Sequence, residues 1–264
     1  ADAIIVRGKS SADPHWDDTA RMLIKATILF VLVSEPPQNQ TLVRVKELIS
    51  EGYSLPYQAQ DGDDPDLDVK VPPSFEEFVL VLKHADDFEG AISAAGHALQ
   101  DMGEKELGSV LSTARRHLEF VSSLPMQDQL AFSSFDPAHL RDAPHGTSIY
   151  LVLPEYRLAS HARWLRLLIT VLFSSLQRMG PQPKAARQTL FILDEFASFG
   201  YLEMLERAAS YIAGFGVKLW SVLQDLNQLK DLYNRRWETF IGNAGVVTAF
   251  ANTDTTTLDY LSKR

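Results

Sequence analysis

The chain has 264 residues, 45% hydrophobic and 22% charged, with a net charge of −9 and no cysteine. These proportions suit a globular protein of one large or two small domains, and the missing thiols exclude disulfides, thiolate catalysis and zinc–thiolate sites. The acidic balance argues against a surface built to clamp nucleic acid, which is usually basic, although a local basic patch is compatible with it.

Residues 3–10, AIIVRGKS, satisfy a loosened phosphate-loop pattern with alanine for the first glycine. A phosphate loop needs backbone N–H groups converging on an anion and a helix starting at the lysine. Ile4, Ile5 and Val6 favour a strand instead, only Gly8 is permissive, and Pro14 would fall inside the required helix. The string therefore reads as a short extended segment turning at Gly8, with Lys9 away from any phosphate. No secretory signal pattern is visible at Ala1 and the short apolar run after it. No run reaches the roughly 18 uninterrupted apolar residues of a membrane span; residues 22–33 come nearest and are broken by Lys25. The absence of an initiator Met suggests part of a longer protein.

Residues 1–13 read as a connecting segment and 14–125 as an all-helical domain. DPHWDDTARMLIKATILFVLVSE sets acids before a long apolar face and stops at Pro36-Pro37. Thr41 caps LVRVKELISE, with Gly52 as its terminator. The acidic stretch 61–68, DGDDPDLD, suggests calcium, but an EF-hand loop needs glycine and glutamate where Asp66 and Pro72 stand. It reads as a solvated loop. Ser74 and Glu77 form a capping box for SFEEFVLVLKHA, and two more helices follow around DFEGAISAAGHALQDM and KELGSVLSTARRHLEFVSSL.

Residues 126–264 read as a second, α/β part, whose rhythm sets in from Thr147 onward. SIYLVLP (148–154), TLFILDEF (189–196), VKLWSVLQD (217–225) and VVTAFAN (246–252) read as strands. Between and after them, HARWLRLLITVLFSSLQRMG, YLEMLERAASYIAGFG, LNQLKDLY, WETFIGNAG and DTTTLDYLSKR read as helices. Strands alternating with helices imply a parallel sheet.

Asp194 and Glu195 follow four apolar residues at the C-terminal end of a strand, where open α/β sheets bind ligands. In P-loop ATPases an aspartate in that place holds Mg²⁺, and a neighbouring glutamate can act as general base on the attacking water. The alternative is that two acids end a strand and face solvent. Gln224, ending the next strand, would lie on the same edge, where an amide can donate to a phosphate oxygen or orient water; otherwise it is a strand-end cap. Asn252 would sit similarly. Arg163, Arg166 and Arg207 are candidates for an arginine reaching a neighbour's site, or else surface ion pairs and snorkelling side chains. The histidines lack metal-ligand spacing, no GxSxG nucleophile motif occurs, and Trp16, Trp164, Trp220 and Trp237 read as packing anchors.

FILDEFASFGYLEMLERAASYIAGFGVKLWSVLQDLNQL resembles the Walker B region of type IV secretion coupling proteins of the conjugative TraG/VirD kind, themselves similar to FtsK- and HerA-type hexameric ATPases. The likeness extends to DPHWDDTARMLIKATILFVL, EKELGSVLSTARRHLEFV, TSIYLVLPEYRLASHARWLRLLITVLFSSLQRM and NAGVVTAFANTDTTTLDYLSKR, and is weakest over 53–73. It implies part of a RecA-like P-loop NTPase sheet with an inserted all-helical domain for substrate recognition. By the same resemblance Asp194 is the Walker B acid that holds the metal, Glu195 the catalytic glutamate and Gln224 a strand-end polar sensor. The cofactors implied are ATP and Mg²⁺ in the full-length protein. The partners implied are effector proteins or a relaxase–DNA complex, the secretion-channel ATPases, DNA itself, and other copies in a homo-hexamer. The parent is expected at the cytoplasmic face of the bacterial inner membrane, with this part soluble, monomeric and inactive alone. The glycine-rich Walker A is not in the chain, and relatives commonly carry arginine where this chain has Ala213. Two other readings stand beside this one: a non-catalytic module that binds secreted partners, and a DNA-pumping ATPase of the FtsK/HerA type.

Overall fold

The computed structural model describes residues 1–5, 14–54, 72–183, 186–208 and 211–263. The chain divides into two compact units, Ala1–Ser133 and Ser134–Arg264. Gly8, Lys9 and the acidic stretch 61–68 lie outside the described residues.

The first unit holds α1 (Pro14–Ser34), α2 (Leu42–Glu51), α3 (Phe75–Lys83), α4 (Ala91–Gln100), α5 (Glu104–His117) and α6 (Leu124–Leu130), with no strand among the described residues. Ala20, Leu23, Ile24, Thr27, Phe30 and Val31 of α1 are buried, the i, i+3, i+4 spacing of a helix with one core face. Each buried Leu or Ile contributes about 1.5–3 kcal/mol. Caps fix the shorter helices: Thr41 Oγ1 accepts from Arg44 N–H at 3.2 Å, and Ser74 Oγ from Glu77 N–H at 3.1 Å. Asp17 and His117 are both buried and meet across α1 and α5, His117 Nε2 to Asp17 Oδ1 at 3.1 Å. At the chain start, Ile4 N–H donates to Ala1 O at 2.9 Å, so residues 2–4 turn and bury Ala3, Ile4 and Ile5. Over its described residues, 3–5, the expected extended segment is thus a turn, because turning lets all three apolar side chains leave water.

Gly96 marks where α4 crosses α3. A Cβ there would stand 2.6 Å from Lys83 N and 2.9 Å from Leu82 C. Alanine gains about 1 kcal/mol of helix propensity over glycine, but forcing backbone apart in a packed core costs about 1–3 kcal/mol. Gly96→Ala is therefore expected to destabilise the protein, read as a lower urea midpoint with an unchanged slope; a raised midpoint would contradict the close approach.

The second unit holds α7 (His139–Asp142), α8 (Glu155–Arg178), β1 (Thr189–Leu193), α9 (Glu203–Ala208), β2 (Val217–Ser221), α10 (Leu226–Tyr233), α11 (Glu238–Gly242) and α12 (Thr255–Ser262). β1 and β2 pair in parallel, Leu193 opposite Ser221. One face packs on α8 through Phe191 and Phe173, whose rings lie 5.9 Å apart. The other face, with Leu190, Ile192 and Trp220, is open; Ile192 is 61% and Trp220 59% exposed. Trp220 is therefore not the packing anchor expected of it. Arg141 on α7 ties the end of α8 to the turn at 212–215, donating to Leu176 O, Gly180 O and Phe215 O.

Two segments read as strands, 148–154 and 246–252, form no ladder. Tyr150 is 85% and Phe250 83% exposed. An apolar run becomes a strand only where a neighbour supplies N–H and C=O groups, and among the described residues the sheet stops at two strands. The helix expected over 201–216 is also interrupted: α9 is described over Glu203–Ala208, and a 3₁₀ turn spans Ile212–Phe215. Gly214, Gly216 and β-branched Ile212 are weak helix formers.

Candidate functional site

The C-terminal end of β1 departs from a regular parallel ladder. With Leu193 opposite Ser221, Val222 would bond to Leu193 on one side and Glu195 on the other. Val222 N–H does donate to Leu193 O, at 3.0 Å, but Val222 O accepts from Phe196 N–H, also at 3.0 Å. One extra residue is accommodated, as in a β-bulge. Asp194 and Glu195 are thereby carried off the ladder together, and both are exposed.

Glu195 has φ 49° and ψ 47°, the left-handed region. A non-glycine residue held there costs about 1–3 kcal/mol and persists only when its surroundings over-determine it. They do so here. Asp194 Oδ1 accepts from Glu195 N–H at 3.1 Å, and Glu195 O accepts from Ser198 N–H at 2.8 Å. Phe196 is fully buried, stacked on Tyr233 at 6.1 Å and set edge-on to Phe240 at 5.5 Å.

Gln224 does not end β2, which stops at Ser221; it lies three residues on, just before α10. From there its Nε2 reaches both carboxylate oxygens of Glu195, at 3.3 Å each. Asp194, Glu195 and Gln224 thus share one edge of the sheet. Asn252 is not brought into this group by any described hydrogen bond; its amide donates to Phe250 O within its own loop.

Beneath the edge lies a polar layer that sequence reasoning assigned differently. Arg166 is buried, and its Nη1 donates to Phe199 O and, at 2.9 Å, to Tyr201 O. These carbonyls flank Gly200, whose φ of 69° suits glycine. Burial lowers the guanidinium to about 10. Burial likewise pushes up the Tyr233 hydroxyl, which accepts from Leu202 N–H at 3.4 Å. Arg166 is therefore a core clamp on the segment following the acid pair. Arg207 pairs with Glu203 one helical turn away, at 2.6 Å, and Arg163 is half-buried on α8.

Among the described residues no group of three His, Cys, Asp or Glu side chains gathers to hold a metal, and no helix is long and apolar enough to cross a membrane. The edge presents two exposed carboxylates and a primary amide, hard oxygen donors and an N–H donor on an open surface rather than a closed metal cage.

The family model described as Type IV secretory system Conjugative DNA transfer matches residues 1–264. The chain is 27% identical over 264 residues to Conjugal transfer protein TraG of Escherichia coli, covering 95% of this chain and 39% of that protein. It is 36% identical over 118 residues to Protein VirD4 of Rhizobium radiobacter, covering 44% of this chain and 17% of the relative. The chain therefore spans about two fifths of the length of the first of these relatives. Among solved structures it resembles the bacterial conjugative coupling protein TrwBdeltaN70 in its unbound monoclinic form, with a TM-score of 0.62 and 18% identity over 91% of this chain and 48% of that one. It resembles equally the plasmid coupling protein TrwB in complex with ADP and Mg²⁺, with a TM-score of 0.62 at 18% identity, over 91% of this chain and 49% of that one. At that identity the likeness establishes a shared fold.

Proposed function

Because the chain belongs to the Type IV secretory system conjugative DNA transfer family, we propose that its second unit carries the hydrolytic edge of a coupling ATPase. The observation that carries this reading is the bulge that lifts Asp194 and Glu195 off the ladder and sets Gln224 against Glu195. In this reading Asp194 holds Mg²⁺ through its exposed carboxylate, and the ion offsets phosphate charge. Glu195 takes a proton from the attacking water, and Gln224 orients that carboxylate. ATP is the nucleotide, by extension from TrwB and its ADP–Mg²⁺ complex. The protein works as a RecA-like homo-hexamer at the inner membrane, passing relaxase–DNA or effector proteins to the secretion channel and its ATPases.

The open face of β1 and β2, with Leu190, Ile192 and Trp220 exposed, favours a further layer that covers it in the complete protein, since parallel strands are normally covered on both faces. Residues 14–125 form the inserted helical domain that meets the substrate. In support, the unit that contains them has no strand among the described residues. The family match runs through these residues as well, which favours a coupling protein over a DNA pump lacking such an insertion.

The test is a Mg²⁺ titration of ATP hydrolysis in the complete coupling protein. Asp194→Asn is expected to lower turnover about 100-fold and to raise the Mg²⁺ concentration needed for half-maximal rate. An unchanged Mg²⁺ profile would remove Asp194 from the site.

A further inference from the structure

The hydrogen bonds around Gln224 single out a residue that the acid pair does not touch. Asp225 caps α10, its Oδ1 accepting from Gln228 N–H at 3.1 Å. From that first turn the Gln228 side chain reaches back, and its Oε1 accepts the backbone N–H of Gln224 at 3.1 Å. The arrangement is a capping box shifted by one residue. In the usual box the side chain at the third helical position takes the N–H of the cap itself; here it takes the N–H of the residue before the cap. That residue is the one whose amide donates to both Glu195 oxygens. The ladder bonds of the crossing from β2 to α10 end at Val222; beyond them Leu226 N–H is held by Thr257 Oγ1 at 3.0 Å, and the Gln224 N–H is held by Gln228. Gln224 is exposed, so its amide is held by its two bonds to Glu195, and the backbone position sets where that side chain starts and hence whether the amide reaches the carboxylate.

We propose that Gln228 is a positioning residue for nucleotide hydrolysis. It fixes the backbone of Gln224, aims that amide at Glu195, and so holds the carboxylate in the orientation that takes a proton from water. This rests on the hydrolytic reading of the edge. Gln228 itself touches neither nucleotide nor metal in this scheme, so its loss acts on turnover rather than on nucleotide affinity.

The experiment measures ATP turnover and nucleotide binding in the complete coupling protein. Gln228→Leu removes the acceptor and is expected to lower kcat roughly tenfold, the scale on which small misplacements act, with nucleotide Kd changed by less than about twofold. Gln228→Glu keeps an acceptor for the same N–H and is expected to retain at least half the turnover. Gln224→Ala should lose about as much as Gln228→Leu, and the double variant no more than either, because one acts through the other. Gln228→Ala repeats the measurement should the leucine variant melt early. Full turnover in both Gln228→Leu and Gln228→Ala, losses that multiply in the double variant, or a glutamate variant as poor as the leucine one would overturn the proposal. Glu195→Gln separates the two levels. If it abolishes turnover while Gln228→Leu does not, this inference alone falls; if it leaves turnover intact, the hydrolytic reading falls with it.

Discussion

Glu195→Gln is expected to lower ATP turnover in the complete protein by about 10²–10⁴-fold, the usual contribution of a general base, while nucleotide still binds. Glutamine matches glutamate in size and can still meet the Gln224 amide through its carbonyl oxygen, so the edge keeps its shape. What is lost is the carboxylate's capacity to accept a proton. A general base acts in the transition state, so on the proposed reading kcat should fall while affinity for ATP and ADP stays within about threefold. Single-turnover kinetics with nucleotide binding measured alongside separates the two quantities. A variant that hydrolyses at the parental rate would place the base elsewhere.

Phe196→Ala is expected to be the most destabilising single change near the site, at about 3–5 kcal/mol for a fully buried phenylalanine. The ring is fully buried between Tyr233, Phe240 and Phe199, and the backbone N–H of the same residue closes the bulge on Val222 O. Truncation opens a cavity and loosens the anchor that keeps Glu195 at φ 49°. Stability and hydrolysis should therefore fall together, whereas Glu195→Gln should spare stability. Urea unfolding of the second unit, followed by its tryptophans, reads the effect. A loss below about 1 kcal/mol would mean the pocket collapses around the missing ring, and that the ring does not hold the turn.

The acid pair was legible because its signal is local: four apolar residues, then two acids, then a phenylalanine. The helix starts at Leu42 and Phe75 were legible for the same reason, since Thr41 and Ser74 carry their own caps. The bulge was not legible. A glutamate in the left-handed region opposes its own preference, and part of what holds it there is the next residue, Phe196, bonded to Val222 and stacked on Tyr233, both remote in sequence. The runs at 148–154 and 246–252 show the opposite failure, for apolar composition says that a segment can pair and not that a partner is present. Arg166 was placed with candidate surface arginines because helical spacing does not say which face a long cation covers. Gln228 was missed although its signal was available: Asp225 followed three residues later by glutamine is a capping pattern, and it stands directly after the predicted Gln224.

The central claim is that Asp194, Glu195 and Gln224 form the edge on which a nucleotide is hydrolysed. A crystal structure of the complete coupling protein with Mg²⁺ and a non-hydrolysable ATP analogue tests it most directly. The expected result is a magnesium ion within one water layer of the Asp194 carboxylate, with the terminal phosphate facing Glu195 while Gln224 still meets it. A nucleotide bound with its phosphates on another surface, and this edge left facing bulk solvent, would contradict the account.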